Sequence, residues 1–443
     1  MKIAFNTPAR KWPVAAFVLV FAAVYMSFAT REVLASWLGS RAHLKSLQWA
    51  ARLDPGNADY RNHVGRYYDL VSRDPLSAIG QYKTAVALNP HSADYWFDLA
   101  DAYQVLGDTA NETVALDRAI QADPTKPDVA WMAANFYLVQ GQNEKALHEF
   151  RVVLANDSSL APLAIQYCWR IDPDVDHLLR DVVPSNSDAY IAFLLLLQKD
   201  VALWVKEATT PGEDTNLPSL KAHIDKETSD SFKVWNALIE SQQPFESHYA
   251  YEYFQFLIQR KDVDDAVMVW QQAANRFRLA SYLPSPSNLV VNGTFSLDPL
   301  NAGLDWQHQK QSGVKLTLDP TEFHSGRRSL LVSFDGPGIM DAGIYQYVPV
   351  QPNTTYNFSA YYKNGEMEGA GGPHFTIQDM YTLAIYYESD ELKEAGFWKS
   401  VEGDFTTGPD CKLVVLHMRR LPLGSPIRGK LWVDDFHLTR KPS

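Results

Sequence analysis

The side chains of this sequence that could carry out catalysis do not fall into a common catalytic pattern. His148 and Glu149 begin like an HExxH zinc motif, but the fifth position is Val152 rather than a second histidine. The sequence also contains no GxSxG nucleophile elbow and no glycine-rich phosphate loop. A pair of acids that meets only in space, as in glycoside hydrolysis, leaves no mark in a sequence, so that class stays open. We predict that the protein is not an enzyme.

The two cysteines offer neither a disulfide framework nor a metal motif. Cys168 and Cys411 lie far apart in the chain, in segments that we assign to different domains. A zinc motif needs cysteines or histidines at close spacing, which neither residue has. We interpret both as buried free thiols and, apart from the structural calcium ion considered below, expect no resident cofactor or metal.

Length and charge indicate a large protein with an acidic helical part. A chain of 443 residues exceeds one ordinary hydrophobic core and predicts two or three domains. The formal net charge is -12, and residues 31–287 hold 34 acids against 23 bases. This excess of acids argues against nucleic acid as a partner.

An uncharged run near the N-terminus predicts an export signal or a membrane anchor. Trp12–Ala29 has 18 residues without a charge, and the charges before it, Lys2, Arg10 and Lys11, are all basic. This pattern predicts a cytoplasmic N-terminus and one transmembrane helix within residues 1–30, with the remaining chain outside the inner (cytoplasmic) membrane. The alternative is a cleaved signal peptide, because "SFA" and "VLA" carry small residues suited to cleavage, and the protein would then be secreted.

A repeat of about one helical hairpin follows the apolar run. Pro55, Pro90 and Pro124 are separated by 35 and 34 residues, and each lies between two segments of helical period. This spacing predicts an α-solenoid of stacked helical hairpins. The side chains resemble the tetratricopeptide repeat (TPR) family over about residues 42–158, and we assign residues 31–160 to this domain. The second repeat matches best, through Trp96, Leu99, Ala100, Tyr103, Gly107, Leu116 and Ala119.

The TPR resemblance implies a concave groove lined by the first helix of each repeat. In this sequence the groove positions are Arg61, Phe97, Asp101, Gln104, Trp131 and Asn135. Polar side chains beside aromatic ones suit an extended peptide or a partner's helix, so we expect a protein or peptide partner here. The alternative is that Phe97 and Trp131 only pack between neighbouring helices.

The helical period continues through residues 161–283 with a weaker repeat signature. We interpret this segment as degenerate helical repeats that extend the solenoid. Residues 284–287 contain two prolines and two serines, a composition typical of a linker.

From residue 288 onward the pattern changes to short strands. Runs such as "TTYNFSAYYK" and "GKLWVDDFHL" alternate apolar and polar residues between glycines and prolines, which predicts a β-sandwich over residues 288–443. The opening "NLVVNGTF" and the closing "LWVDDFHL" resemble carbohydrate-binding modules of the galactose-binding-like jelly-roll class. The predicted fold class is therefore multidomain, with an α-helical part followed by an all-β part.

The resemblance implies a sugar-binding cleft in the sandwich. Aromatic rings stack on the apolar face of a sugar, and planar polar groups satisfy its hydroxyls. In residues 355–362 the alternation predicts Tyr356 and Phe358 in the core and Tyr361 on the other face. The candidate cleft residues are Tyr361, Tyr386, Trp398, His417 and Arg419. The alternative is an ordinary aromatic strand surface.

Four further residues receive a structural role from the same resemblance. Trp306 and Trp432 stand where the family keeps structural tryptophans, so we leave them out of the cleft. Asp434 and Asp435 match the family's paired acids near the last strand, which assist a structural calcium ion. Calcium is therefore the one ion that the resemblance implies.

Two functional hypotheses follow. The first is an exported, membrane-tethered adaptor, in which the solenoid recruits a protein and the sandwich contacts glycan or packs on the solenoid, in a bacterial envelope apparatus that assembles or exports polysaccharide. The second is a secreted glycan-binding or glycan-processing protein in which the solenoid is only a spacer.

Overall fold

The computed structural model describes residues 8–210, 216–336, 339–393, 396–420 and 425–442. The first seven residues of the predicted cytoplasmic segment lie outside these ranges. The described chain has a helical N-terminal region and a C-terminal β-sandwich of two antiparallel sheets.

The helices of the N-terminal region follow one another with short connections. They are α1 (Pro8–Gly39), α2 (Leu44–Leu53), α3 (Ala58–Arg66), α4 (Pro75–Leu88), α5 (Ala93–Leu106), α6 (Thr109–Ala122), α7 (Pro127–Val139), α8 (Asn143–Asn156), α9 (Ala161–Ile171), α10 (Val175–His177), α11 (Ser187–Thr209), α12 (Leu217–Glu240), α13 (Ser247–Arg260) and α14 (Val263–Arg276). One turn of π-helix follows α3 and another follows α10.

The strands of the sandwich are β1 (Gln307–His308), β2 (Val314–Asp319), β3 (Ser329–Gly336), β4 (Asp341–Pro349), β5 (Thr355–Gly369), β6 (Pro373–Asp379), β7 (Ile385–Glu388), β8 (Lys399–Thr406), β9 (Leu413–Arg420) and β10 (Ile427–Arg440). Sheet I has the order β1-β4-β9-β6-β7, and sheet II has the order β2-β3-β10-β5-β8.

Helix α1 is a single apolar helix whose C-terminal end belongs to the folded region. By length and composition, Trp12–Gly39 could cross a membrane. Its large apolar side chains are exposed from Trp12 to Phe28, whereas Ala35 is fully buried. Gly39 lies against the Tyr60 ring, where even one added carbon would clash.

The hairpins of the helical region are closed by turn and cap residues that the sequence supplies. Gly107 ends α5 in the left-handed conformation at φ 73°, which glycine adopts without a steric penalty. The Asp108 carboxylate then accepts a hydrogen bond from the Asn111 backbone N–H and caps α6. Small residues such as Ala100 and Ala119 are fully buried, so neighbouring helices can approach closely.

The chain forms two compact units. The first comprises Met1–Leu196 and Lys233–Ser241, and the second comprises Leu197–Phe232 and Gln242–Ser443. The second unit therefore runs across the expected linker at residues 284–287 and includes α13 and α14 together with the sandwich. The domain boundaries drawn from the sequence remain predictions.

The core of the sandwich lies between the two sheets. On β5, Tyr356, Phe358, Ala360 and Tyr362 are buried, as the alternation predicts. Phe358, Phe375 and Phe436 contact one another at ring-centroid distances of 5.1 to 6.4 Å. Each sheet consequently presents its other residues on an outer face.

Candidate functional site

The five predicted cleft residues do not form one cleft. Tyr361 and Trp398 lie at the outer face of sheet II. His417 and Arg419 lie on β9, in the middle strand of sheet I, and Tyr386 lies on the edge strand β7. Since the core separates the two outer faces, no single sugar ring contacts both groups. The predicted set must be divided.

The outer face of sheet I is closed by helices of the same compact unit. Leu413, Val415 and Tyr347 are buried although they point away from the sandwich core. The Tyr381 hydroxyl donates to the Ile258 carbonyl of α13 at 2.9 Å, and Lys412 forms an ion pair with Asp264 of α14 at 2.5 Å. The centre of this face is therefore buried in the part of the chain that the structure describes.

His417 and Arg419 lie on this covered face of sheet I. His417 is only 6% exposed, and its Nδ1 lies 3.4 Å from an Asp341 carboxylate oxygen. Its Nε2 is buried and has no hydrogen-bond partner among the described residues. Arg419 is partly exposed and lies 4.0 Å from the same carboxylate. The alternation predicted the side of the strand correctly, but this side is covered by α13.

Tyr386 is partly buried and packs against the core from the edge strand. Its ring stacks parallel to Phe405 with centroids 6.3 Å apart, and its hydroxyl donates to Asp379 at 3.2 Å. Burial is the main cause that raises its pKa to about 12. Its hydroxyl is thus engaged inside the domain.

The outer face of sheet II carries a group of aromatic side chains that is open to solvent. Tyr361 pairs with Ser400 across β5 and β8, and Trp398 precedes β8 by one residue on the same side. Trp432 pairs with Lys363 on the opposite neighbour of β5. Diagonal neighbours on one sheet face lie about 7–8 Å apart, so Tyr361 and Trp432 adjoin each other. We call Tyr361, Trp398, Trp432 and His324 the aromatic face.

Trp432 corrects the assignment made from the resemblance. Leu431 and Val433 are buried in the core, and Trp432 between them is partly exposed on the outer face. Its Nε1–H donates to the Asp319 carboxylate at 2.8 Å, and its six-membered ring lies against Gly365. Trp306, by contrast, is a core residue, stacked on Phe295 at 5.1 Å and 3% exposed.

A depression extends the aromatic face along the sheet. Its volume is about 620 Å³. The Trp432 ring forms one wall, and Ser333, Glu366 and Lys430 contribute polar groups. The space is an open groove on the sheet surface rather than an enclosed cavity. Ring and polar groups converge here as sugar recognition requires.

His324 was not predicted, and it comes from a loop distant in sequence. Its ring stacks on Tyr361 at 3.6 Å between centroids with an interplanar angle of 12°, and lies 5.9 Å from Trp398. Its Nδ1 lies 3.1 Å from an Asp435 carboxylate oxygen. Asp435 of β10 therefore holds the His324 ring in its position against Tyr361.

The paired acids of β10, Asp434 and Asp435, bind the loop that carries His324. A bulge between Asp434 and His437, with Asp435 at φ 57°, lets both neighbouring carboxylates reach the same segment. Asp434 accepts hydrogen bonds from the backbone N–H groups of His324 and Ser325 at 2.8 and 2.9 Å. Burial raises the pKa of Asp434. A calcium ion at this pair remains a prediction.

The groove residues of the helical region divide into packed and polar ones. Trp131 contacts Phe150 and Tyr167 edge to face at 5.5 and 5.7 Å, and the Asn135 side chain donates to the Trp131 carbonyl. Phe97 also packs against the helical core. These contacts favour the packing interpretation of both aromatic residues.

The remaining groove positions are polar. Gln104 is exposed, and Arg61 lies 3.5 Å from the Gln81 amide oxygen. Asp101 is half-buried, and its pKa is raised by burial and by the nearby carboxylates of Asp69 and Asp98. The predicted groove positions therefore include a carboxylate, Asp101, that lies near two further acids.

Comparisons with known proteins identify the C-terminal part. Residues 287–419 match the family model of a carbohydrate binding domain. No curated protein sequence matches the chain. The family match is to a binding domain, and no enzyme family is identified.

Among solved structures, three are similar to parts of this chain. A CBM4 domain is 15% identical, with 34% of this chain and 99% of that chain covered at a TM-score of 0.27. The CBM22-1 xylan-binding domain of Paenibacillus barcinonensis Xyn10C is also 15% identical, with coverages of 34% and 93% and a TM-score of 0.25. YrrB, a TPR protein with an unusual peptide-binding site, is 12% identical, with coverages of 53% and 93% and a TM-score of 0.24.

Proposed function

We propose that this protein is an exported, membrane-anchored scaffold that binds a glycan through the aromatic face of its C-terminal sandwich. The observation that carries this proposal is the grouping of the partly exposed side chains Tyr361, Trp398 and Trp432 on the outer face of sheet II. Such rings stack on the apolar face of a sugar. The match of residues 287–419 to a carbohydrate binding domain supports the same conclusion.

The aromatic face is preorganised for a ligand. The Trp432 indole is held by Asp319, and the His324 ring is held by Asp435. Lys363, which pairs with Trp432, forms an ion pair with Glu322 at 2.8 Å. Side chains that are fixed before binding lose less conformational entropy when the ligand arrives. The polar groups between the rings can donate to and accept from sugar hydroxyls.

The helical region acts in this proposal as a TPR-type solenoid that recruits a protein partner. The repeat spacing of the sequence supports the solenoid assignment. Phe97 and Trp131 pack inside the helical region. We therefore expect the partner to contact the polar groove residues Arg61, Asp101 and Gln104. A carboxylate among these residues suits a partner segment that carries basic side chains.

Helix α1 is proposed to be a retained anchor, with its N-terminus in the cytoplasm and the bulk of the chain exported. The continuous helix and the burial of Ala35 support retention, because cleavage after the "VLA" segment would cut within a packed part of α1. An anchored glycan-binding scaffold fits a bacterial envelope apparatus that assembles or exports polysaccharide. The alternative is a secreted glycan-binding protein with the helices as a spacer.

The test is polysaccharide retention by the full-length protein in detergent. A glycan array first identifies a ligand, and affinity electrophoresis in gels containing it then compares wild type with Trp398→Ala. Removing a central aromatic contact of a binding site costs about 2 kcal/mol or more, a loss of affinity of roughly 30-fold. Trp49→Ala is the matched control, because Trp49 is an exposed tryptophan of α2. No retention of the wild type on any glycan would refute the proposal.

A further inference from the structure

Two tryptophan–arginine pairs lie where the apolar helix meets the first folded helices. The Arg41 guanidinium carbon lies 3.7 Å from the Trp37 ring centroid, and that of Arg52 lies 5.4 Å from the Trp49 ring centroid. Trp37 is 52% exposed and Trp49 is 55% exposed. Each pair therefore presents a large apolar ring and a cationic group to the surroundings.

This junction differs in charge from the helices that follow it. Residues 31–52 contain four bases (Arg31, Arg41, Lys45 and Arg52) and one acid (Glu32). Subtracting them from residues 31–287 leaves 33 acids (34 − 1) and 19 bases (23 − 4) in residues 53–287. The junction is thus a basic surface at the start of an acidic region.

The distance along α1 matches the thickness of a bilayer. Trp12 and Trp37 are 25 positions apart in one helix, about 37 Å at ~1.5 Å per residue. A bilayer is ~30 Å thick in its hydrocarbon core and ~40–45 Å with its headgroups. Tryptophans are enriched at both membrane–water interfaces. One tryptophan therefore falls near each headgroup layer.

The junction is also held rigidly beside the end of α1. Ala35 is fully buried, and Gly39 packs against the ring of Tyr60 on α3. The Arg31 side chain donates to the Leu53 carbonyl at the end of α2. The position of α1 in a membrane would consequently fix the position of α2 and of Trp49.

We infer that the Trp37–Arg41 and Trp49–Arg52 pairs bind the phospholipid headgroup layer on the exported side of the membrane. The indole rings enter the interface, and the guanidinium groups contact the phosphates of anionic lipids. The helical region is then fixed on the bilayer surface instead of moving freely on its anchor. This inference rests on the proposed anchor.

The test uses the full-length protein reconstituted into vesicles of phosphatidylcholine and phosphatidylglycerol, with bromine on the acyl chains near the headgroups as a quencher of tryptophan emission. All variants carry Trp12→Phe, so that the tryptophan at the other end of α1 does not contribute. Trp37→Phe and Trp49→Phe are each expected to reduce the quenched emission, that is, the emission lost when bromine is present. Trp235→Phe, at a fully buried position of α12 that lipid cannot reach, is the control and should leave the quenched emission unchanged.

The outcomes separate the inference from the anchor. If carbonate washing leaves the protein in the vesicles but neither Trp37→Phe nor Trp49→Phe reduces the quenched emission, the interface contact is overturned and the anchor stands. If carbonate releases the protein, both the proposed anchor and the inferred contact with the headgroup layer are refuted. Arg41→Gln combined with Arg52→Gln is expected to abolish the increase in quenching caused by phosphatidylglycerol, and an unchanged increase would overturn the contact with lipid phosphates.

Discussion

Replacing Trp432 by alanine should destabilise the sandwich much less than replacing Trp306. Trp306 is 3% exposed and stacked between core rings, so its removal should cost about 3–5 kcal/mol. Trp432 is partly exposed, and its main loss is the hydrogen bond to the Asp319 carboxylate. A hydrogen bond to a charged group contributes about 1.5–3 kcal/mol, and solvent takes over part of it in the variant, so we expect about 1–2 kcal/mol.

The assay is urea unfolding of the full-length protein in detergent, followed by near-ultraviolet circular dichroism. With a denaturant slope of about 2 kcal/mol per molar urea, Trp432→Ala should lower the midpoint of the sandwich transition by about 0.5–1 M. Trp306→Ala should lower it by about 2 M. Equal losses in the two variants would place Trp432 in the core and refute the aromatic face.

A pH series adds an independent check on the same contact. Hydrogen bonds from Thr321 and Trp432 lower the pKa of Asp319 to about 2. An acid whose pKa is depressed by folding stabilises the folded state above its ordinary value of about 3.9, and this contribution is lost as the pH falls through the folded value. Trp432→Phe removes the N–H donor, so its stability deficit should be present at pH 7 and shrink towards pH 2. A deficit independent of pH would contradict the hydrogen bond.

Three further predictions concern the rest of the chain. Burial raises the pKa of Asp305 to about 6, so the stability of the wild type should fall as the pH rises from about 4 to 6 and the carboxyl loses its proton. In thermal melts across that range, Asp305→Asn should remove this fall. Gly303→Ala should lower the urea midpoint by more than Gly336→Ala. Gly303 has a φ of 62°, and a carbon added there would overlap the Trp270 ring, whereas a carbon added at Gly336 would make only an ordinary contact. Equal midpoints in the two variants would contradict the packing of α14 on this loop. A periplasm-active reporter fused after Ser40 should be active, and activity of a cytoplasm-only reporter there would contradict the proposed topology.

The sequence predicted the elements of the sandwich better than the surface that they expose. Alternation alone places Trp432 on the outer face between the buried residues Leu431 and Val433. The family resemblance assigned it to the core and outweighed the local pattern. His324 carries no such signal, because it lies in a loop and reaches Tyr361 only through hydrogen bonds to Asp434 and Asp435, which are more than a hundred residues away.

The cleft residues of sheet I show the opposite situation. Alternation correctly put His417 on the side of β9 that faces away from the core. A strand pattern cannot tell whether another element packs on that side, and here His417 is buried and α13 contacts the adjoining loop, where the Tyr381 hydroxyl donates to the Ile258 carbonyl. Burial of a polar strand face is a property of the tertiary structure. Sequence patterns alone therefore could not exclude His417 from a ligand site.

The measurement that tests the central claim most directly compares the two faces of the sandwich with a glycan identified on the array. Tyr361→Ala changes the aromatic face of sheet II, and Arg419→Ala changes a partly exposed residue of sheet I. In affinity electrophoresis, we expect Tyr361→Ala to abolish retention of the full-length protein and Arg419→Ala to retain it at the wild-type level. Loss of retention in Arg419→Ala with normal retention of Tyr361→Ala would place the binding site on sheet I and contradict the account.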